Sequence, residues 1–256
     1  MCRWLAYLGQ PIYLDKYLFE PKHSLIDQSL HSERTRVTTN GDGFGVGWYG
    51  EREEPGLYRE VLPAWNDPNL RSLARQIRSR LFFAHVRAST GTETSRMNCH
   101  PFAYGRWLFM HNGQIGEYER VRRAIDALIP DDLYSRRRGS TDSEAFFYLL
   151  FRFGLEEDPE GAWRRAVEAV LGAMDKAGVK EPFRMTSILS DGKVLYGLRY
   201  ATDPEPPSLY WRCTRDELLV VSEPLDSDMS HWEEVPTQSL LIAEGLGQAA
   251  VEPFRV

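Results

Sequence analysis

The order of the hydrophobic periods constrains this chain most. Short apolar runs come first, at Trp4 to Leu8, Phe44 to Tyr49, Leu81 to Val86 and Trp107 to Met110. Each is aromatic or β-branched in character and bounded by Gly, Asn, Asp or Ser, the pattern of strands. A helical middle follows. Val121, Ile125 and Leu128 share one stripe of Glu117 to Leu128, which ends at Pro130. Ser140 or Thr141 is placed to cap a helix running to Phe153, with Glu144 positioned for a capping box. Asp158-Pro159 opens another helix, through Trp163, Val167 and Val170 to Gly178. After Pro182 the period returns to two. Met185 to Leu189 and Val194 to Leu198 flank the turn Ser190-Asp191-Gly192-Lys193, and Leu209 to Cys213, Leu218 to Ser222 and Ser239 to Ala243 add strands. Strands, then helices, then strands predict a layered α+β domain with much antiparallel sheet, not a βαβ repeat. One earlier helix is expected over 70–80, from the spacing of Leu70, Leu73, Ile77 and Leu81. Asp203 to Pro207 reads as a surface loop.

Composition narrows the function. With 31 Lys+Arg against 37 Asp+Glu the formal net charge is −6, so neither nucleic acid nor an anionic membrane is expected as a partner. No apolar run reaches the roughly 20 residues that span a bilayer, and the N-terminal stretch is too short for a signal peptide. Three cysteines, Cys2, Cys99 and Cys213, cannot make a disulfide framework, and a cytoplasmic location is the expectation.

Cys2 is the first candidate for chemistry. Removal of Met1 would expose a thiol and a free α-amine on one residue, with ordinary pKa values near 8.5 and 8. The amine can take the thiol proton during attack on a carbonyl, so one residue supplies nucleophile and base. Position alone favours the plainer reading, a small apolar residue at a strand start. Other segments shift that balance. His85-Val86-Arg87-Ala88-Ser89-Thr90-Gly91 follows a strand and offers an arginine able to pair bidentately with a carboxylate. His111-Asn112-Gly113-Gln114-Ile115 follows another, and an Asn amide beside a Gly N–H are the donors an oxyanion hole requires. Ser140-Thr141-Asp142-Ser143-Glu144 places an acid at a helix start, where it could bind an ammonium.

Taken in order, Met1-Cys2, Asn40 to Tyr49, His85 to Gly91, His111 to Ile115 and Ser140 to Glu144 resemble the class II glutamine amidotransferases of the N-terminal-nucleophile hydrolases. The resemblance implies a four-layer αββα sandwich formed by a single glutamine amidotransferase domain over 1–256. It implies Cys2 as nucleophile, Asn112 and Gly113 as the oxyanion hole, Arg87 on the substrate α-carboxylate and Asp142 on its α-ammonium, with Thr90 and His111 also binding substrate. The implied reaction is attack on the γ-amide of glutamine or a γ-glutamyl amide, a thioester, release of ammonia or an amine, and hydrolysis. It needs no metal and no cofactor.

The family often carries Arg-Gly where this chain has Asn40-Gly41, which puts substrate contacts from that loop in doubt. The Met-Cys-Arg start and the Asn-Gly-Asp-Gly-Phe-Gly loop look closer to a stand-alone subgroup similar to the ergothioneine-pathway γ-glutamyl amidohydrolase. No nucleotide-binding motif is present, so the ammonia would go to a separate accepting subunit, or the amide itself is the target. A non-catalytic scaffold or partner subunit on the same fold is the alternative of a different class. The alternating Gly41, Gly43, Gly45 and Gly47 fit a close-packed strand better than a dinucleotide loop. Asn98-Cys99-His100 reads as a site-rim loop, His85, His100 and His111 match no zinc spacing, and Arg136-Arg137-Arg138 reads as a solvated loop.

Overall fold

Two antiparallel sheets face each other in the computed structural model, which describes residues 2–30, 39–89 and 93–256. In chain order the strands are β1 Arg3–Tyr13, β2 Phe44–Trp48, β3 Gly56–Glu60, β4 Arg78–Val86, β5 Phe102–Tyr104, β6 Trp107–Gln114, β7 Arg184–Ser190, β8 Leu195–Ala201, β9 Tyr210–Cys213, β10 Glu217–Val221, β11 Glu233–Glu234, β12 Ser239–Ala243 and β13 Ala249–Pro253. The helices are α1 Asp15–Leu18, α2 Leu25–Leu30, α3 Pro68–Ala74, α4 Tyr118–Asp126, α5 Asp131–Tyr134, α6 Asp142–Arg152 and α7 Pro159–Lys176. One sheet runs β11-β9-β10-β1-β4-β2-β3 and the other β13-β12-β8-β7-β6-β5.

Side-chain alternation dictates the layering. On β1, Trp4, Ala6 and Leu8 point between the sheets, while Leu5 and Tyr7 point outward beneath α1, α2 and α3. On β6, Leu108 and Met110 meet them across the sheet interface, and Trp107 and Phe109 turn to α4, α6 and α7. Both faces of each central strand are covered, which is why these runs are apolar at consecutive positions. Three cores therefore stack as helix–sheet, sheet–sheet and sheet–helix, and the fold is the expected four-layer αββα sandwich. Phe109 stacks on Phe147 at 5.4 Å in the helical core; truncation of such a buried ring costs about 3–5 kcal/mol.

Local rules explain several element boundaries. Asp158 caps α7 by accepting from Gly161 N at 2.9 Å, with Pro159 in the first turn. Asp191 Oδ1 accepts from Lys193 N and Val194 N, closing the β7–β8 hairpin at the expected turn. Thr141, not Ser140, caps α6. Glu144 does not complete a capping box with the cap residue; its two oxygens accept from Arg138 N and Gly139 N.

Two further expectations are corrected. The helix expected over 70–80 ends at Ala74, and Arg78 already begins β4. Leu81 faces the sheet–sheet core and Ser79 Oγ bonds Tyr49 O, so strand pairing overrides the 3.6-residue spacing. Arg137 is not a solvated residue. Its guanidinium donates to Asp126 Oδ2 (2.7 Å), Tyr118 Oη (2.8 Å) and Thr141 O (3.0 Å), tying α4 to the start of α6. Its neighbours Arg136 and Arg138 are exposed.

Candidate active site

The start of β1 and the ends of β4 and β6 converge on one edge of the sandwich. Arg3 pairs with Val86, so Cys2 and Arg87 emerge side by side where their strands stop. There they line a cleft of about 560 Å³ with His111, Asn112, Gly113 and Asp142. Six of the residues singled out in the sequence thus share one cleft. The seventh, Thr90, and also Met1, lie outside the described residues.

The half-buried Cys2 thiol sits over the backbone of Ala88. It donates to Ala88 O at 3.4 Å and accepts from Ala88 N at 3.3 Å. Burial pushes the thiol pKa up. The Ala88 N–H opposes this, as do the charges of Arg87 and Arg3. The carbonyl of Cys2 accepts from Asn112 Nδ2 at 2.8 Å and from Arg3 Nη1 at 3.1 Å. Asn112 reaches it because position 112 on β6, like Leu108 and Met110, faces the first sheet.

Arg87 is buried. Its guanidinium donates to Asp42 O, Ser89 Oγ and Glu93 O, each at 3.2 Å. Asp42 Oδ2 in turn accepts from Ser89 N at 2.7 Å, so the Asn40–Gly43 loop organises the segment that carries Arg87. Asp142 opens α6 and accepts from Ile115 N (2.9 Å) and Ser143 N (2.8 Å), which docks the helix onto the end of β6. His111 Nδ1 lies 2.8 Å from Ser143 Oγ, and burial depresses its pKa. Gly113 has φ +134°, and a Cβ there would stand 1.9 Å from Arg184 O. Only glycine fits that approach.

The rings of His85 and His100 lie 4.3 Å apart, tilted by 30°. Both are held neutral, since burial depresses their pKa values, that of His85 to about 3. His100 reaches the cleft with Asn98, so the 98–100 loop does form part of its rim. Cys99 is buried and donates to Glu60 O and Ser95 O. Gly45 packs so tightly that a Cβ would meet His100 O at 2.1 Å. Among the described residues no three His, Cys, Asp or Glu side chains converge to hold a metal, and no helix is long and apolar enough to cross a membrane. All three cysteines are free thiols.

The outer half of the cleft was not foreseen. Glu117, Arg120, Glu181 and Arg184 line it. Arg120 pairs with Glu117 at 2.5 Å, and Arg184 pairs with Asp203 and with Glu205 at 3.1 Å. Scattered charges on a helix start and a strand start carry no motif, so sequence offered no signal for them beyond their adjacency to His111–Ile115.

A nucleophile candidate just ahead of the first strand of an αββα sandwich, sharing its cleft with an Asn-Gly pair, defines an N-terminal-nucleophile hydrolase arrangement. The model of the class II glutamine amidotransferases matches residues 22–203, and the chain belongs to that family. It is 35% identical to the probable glutamine amidotransferase DUG3 of Saccharomyces cerevisiae, covering 94% of this chain and 81% of that one. It is 28% identical to the gamma-glutamyl-hercynylcysteine sulfoxide hydrolase of Mycolicibacterium smegmatis, over 94% and 95% of the two chains. A solved glutamine aminotransferase class-II domain protein from Silicibacter pomeroyi superposes with TM-score 0.79 at 41% identity, over 99% and 98% of the chains. The chain is an enzyme of the glutaminase type.

Proposed function

We propose that this enzyme hydrolyses a γ-glutamyl amide through a thioester on Cys2, once Met1 has been removed. The observation that carries this reading is the Asn112 amide bonded to the Cys2 carbonyl at 2.8 Å inside the cleft. An Asn amide has two N–H donors. One anchors the nucleophile's own residue; the other serves the oxyanion, together with the Gly113 backbone. The freed α-amine takes the thiol proton, and the sulfur attacks the γ-carbonyl. Breakdown expels ammonia or an amine, which leaves with that proton. Water then releases glutamate. Arg87 takes the α-carboxylate and Asp142 the α-ammonium, with His111 and Thr90 also binding substrate.

The chain acts as one glutamine amidotransferase domain over 1–256, supported by the pairing of β10 with β1 and of β12 with β8. Its compartment is the cytoplasm. Ammonia, where glutamine is the substrate, passes to a separate subunit. A specific observation favours a larger amide instead: the cleft extends past Gly113 to Glu117, Arg120 and Arg184, and its 560 Å³ is of drug-sized-ligand scale. The amine side of the substrate would occupy that outer half, as the name of the mycobacterial relative also suggests.

The test is Cys2→Ala against a panel of glutamine and γ-glutamyl amides, with intact-mass measurement of the parent. A chain lighter by one Met, active on at least one amide and inactive as Cys2→Ala, is expected. A full-length chain without activity supports the scaffold reading.

A further inference from the structure

A buried charge chain reaches Cys2 from the side away from the cleft. Arg3 Nε donates to Glu223 Oε2 at 2.6 Å, and the two side chains are 3% and 2% exposed. Glu223 Oε1 lies 2.7 Å from His23 Nε2. Gln28 Nε2 donates to the carbonyls of Glu223 and Pro224, each at 3.3 Å, and Ser222 Oγ accepts from Trp4 N at 2.9 Å. Residues 222–224 therefore grip residues 3 and 4. From the same guanidinium, Arg3 Nη1 reaches the Cys2 carbonyl at 3.1 Å.

We propose that Arg3, held by Glu223, is the positioning residue for the N-terminal nucleophile. A buried ion pair adds little net stability, because desolvation offsets its Coulomb gain. What it supplies is geometry. A guanidinium is planar and rigid, so fixing Nε on Glu223 fixes where Nη1 points. Cys2 stands just ahead of β1, outside the ladder whose register begins at Arg3. Its carbonyl is clamped by Arg3 on one side and Asn112 on the other, which sets the direction of both its amine and its thiol. The guanidinium charge also pulls the thiol pKa down, against the larger upward push of burial.

This inference rests on Cys2 being the nucleophile, and its test reads the thiol without substrate. In a Cys213→Ser background, which removes the exposed thiol, the rate of Cys2 alkylation by iodoacetamide at pH 7 is followed by peptide mass. Alongside it, kcat and KM are measured on the best amide. Arg3→Gln is expected to slow alkylation several-fold and to lower kcat about 10–100-fold, with KM within about threefold, since small misplacements near reacting atoms carry losses of that order. Arg3→Lys keeps the charge but not the fork, so alkylation should recover while kcat stays depressed. Should Arg3→Gln fail to fold, the near-isosteric Glu223→Gln and the charge-conserving Arg3→Lys carry the test. Each should lower kcat at unchanged KM. Unchanged kcat and alkylation would overturn the proposal, as would a loss falling on KM alone. Activity surviving in Cys2→Ala would sink the nucleophile reading instead, a separate outcome.

Discussion

The two halves of the cleft are built by different means. In the inner half nearly every side chain is fixed by main chain: Cys2 by Ala88, Asn112 by Cys2 O, Arg87 by Asp42 O and Glu93 O, Asp142 by Ile115 N. In the outer half exposed charged side chains hold one another as well as main chain: Arg120 pairs with Glu117 and donates to Ala177 O, Glu117 accepts from Lys180 N, and Arg184 pairs with Asp203 and Glu205. Most of the inner anchors stand within two residues of a strand end, Cys2 before β1, Asp42 before β2, Ala88 after β4 and Ile115 after β6, so the sheet register fixes where they sit. Exposed ion pairs are worth little and are easily exchanged. The inner half is therefore suited to an invariant group, the glutamyl moiety, and the outer half to a variable one, the leaving amine.

The largest expected effect breaks this comparison at its centre. Cys2→Ala should lower kcat at least about 10³-fold with Tm unchanged within a few degrees, because the thiol goes but little buried volume does. Cys99→Ala, by contrast, should keep most activity. Reversal of the two results would move the chemistry out of the inner half. Asn112→Ala comes next, with a loss of about 10²–10³ in kcat and a smaller change in KM, since the oxyanion exists mainly in the transition state. A normal kcat there would mean that Asn112 serves only the Cys2 carbonyl.

How far the sequence reveals each half follows from the same difference. The strands at Trp4, Phe83 and Leu108 were legible because burial on both faces leaves unbroken apolar runs. Cys2, Arg87, Asn112 and Asp142 stand out as candidates, and share one cleft, because each sits at or near a strand or helix terminus within a recognisable local string. Pairings across long chain separations were not. Nothing near Arg3 announces Glu223, and nothing near His85 announces His100. The helix over 70–80 was overextended because Ile77 and Leu81 satisfy helical and alternating spacing alike. Arg137 reads as solvated because its partners Tyr118 and Asp126 lie on α4, away in sequence from its own loop. The outer half has neither local motif nor terminus to mark it.

Recognition in the inner half should fall on binding. The charges of the glutamyl group do not change during reaction, so their contacts act in ground and transition states alike. Arg87→Lys and Asp142→Asn should raise KM about 10–100-fold and leave kcat less affected. An esterified analogue should bind wild type poorly and lose little more in Arg87→Lys; a des-amino analogue should behave likewise with Asp142→Asn. Additive losses would show that these residues contact other groups.

Acid should also act on the buried histidines beside the inner half. His85 is neutral in the folded protein down to about pH 3, whereas in the unfolded chain it protonates near 6.5. A depressed folded pKa contributes stability above 6.5 that is lost as pH falls toward 3, at about 1.4 kcal/mol per pH unit for one histidine. Thermal melts between pH 7 and 4.5 should show that decline, and His85→Gln should flatten part of it. An identical slope in the variant would mean that His85 is protonated in the native state.

The smallest effect sharpens the comparison most. Arg120→Ala and Arg184→Ala remove ion pairs at the rim, where each arginine is about half or one-third exposed, 52% and 32%. Such pairs contribute at most about 1 kcal/mol after screening, so Tm should barely move. If the outer half handles only the leaving amine, hydrolysis of glutamine, which presents nothing but ammonia there, should stay within about threefold of wild type. Hydrolysis of γ-glutamyl amides with bulky or charged amines should change more, and in kcat/KM rather than in the rate of thioester hydrolysis, because the amine has gone by that step. Competing pairs of amides in one reaction would read the ratio directly. Equal losses on glutamine and on large amides would merge the two halves into one pocket. A change confined to the large amides would make the outer wall the place where this chain selects what it releases.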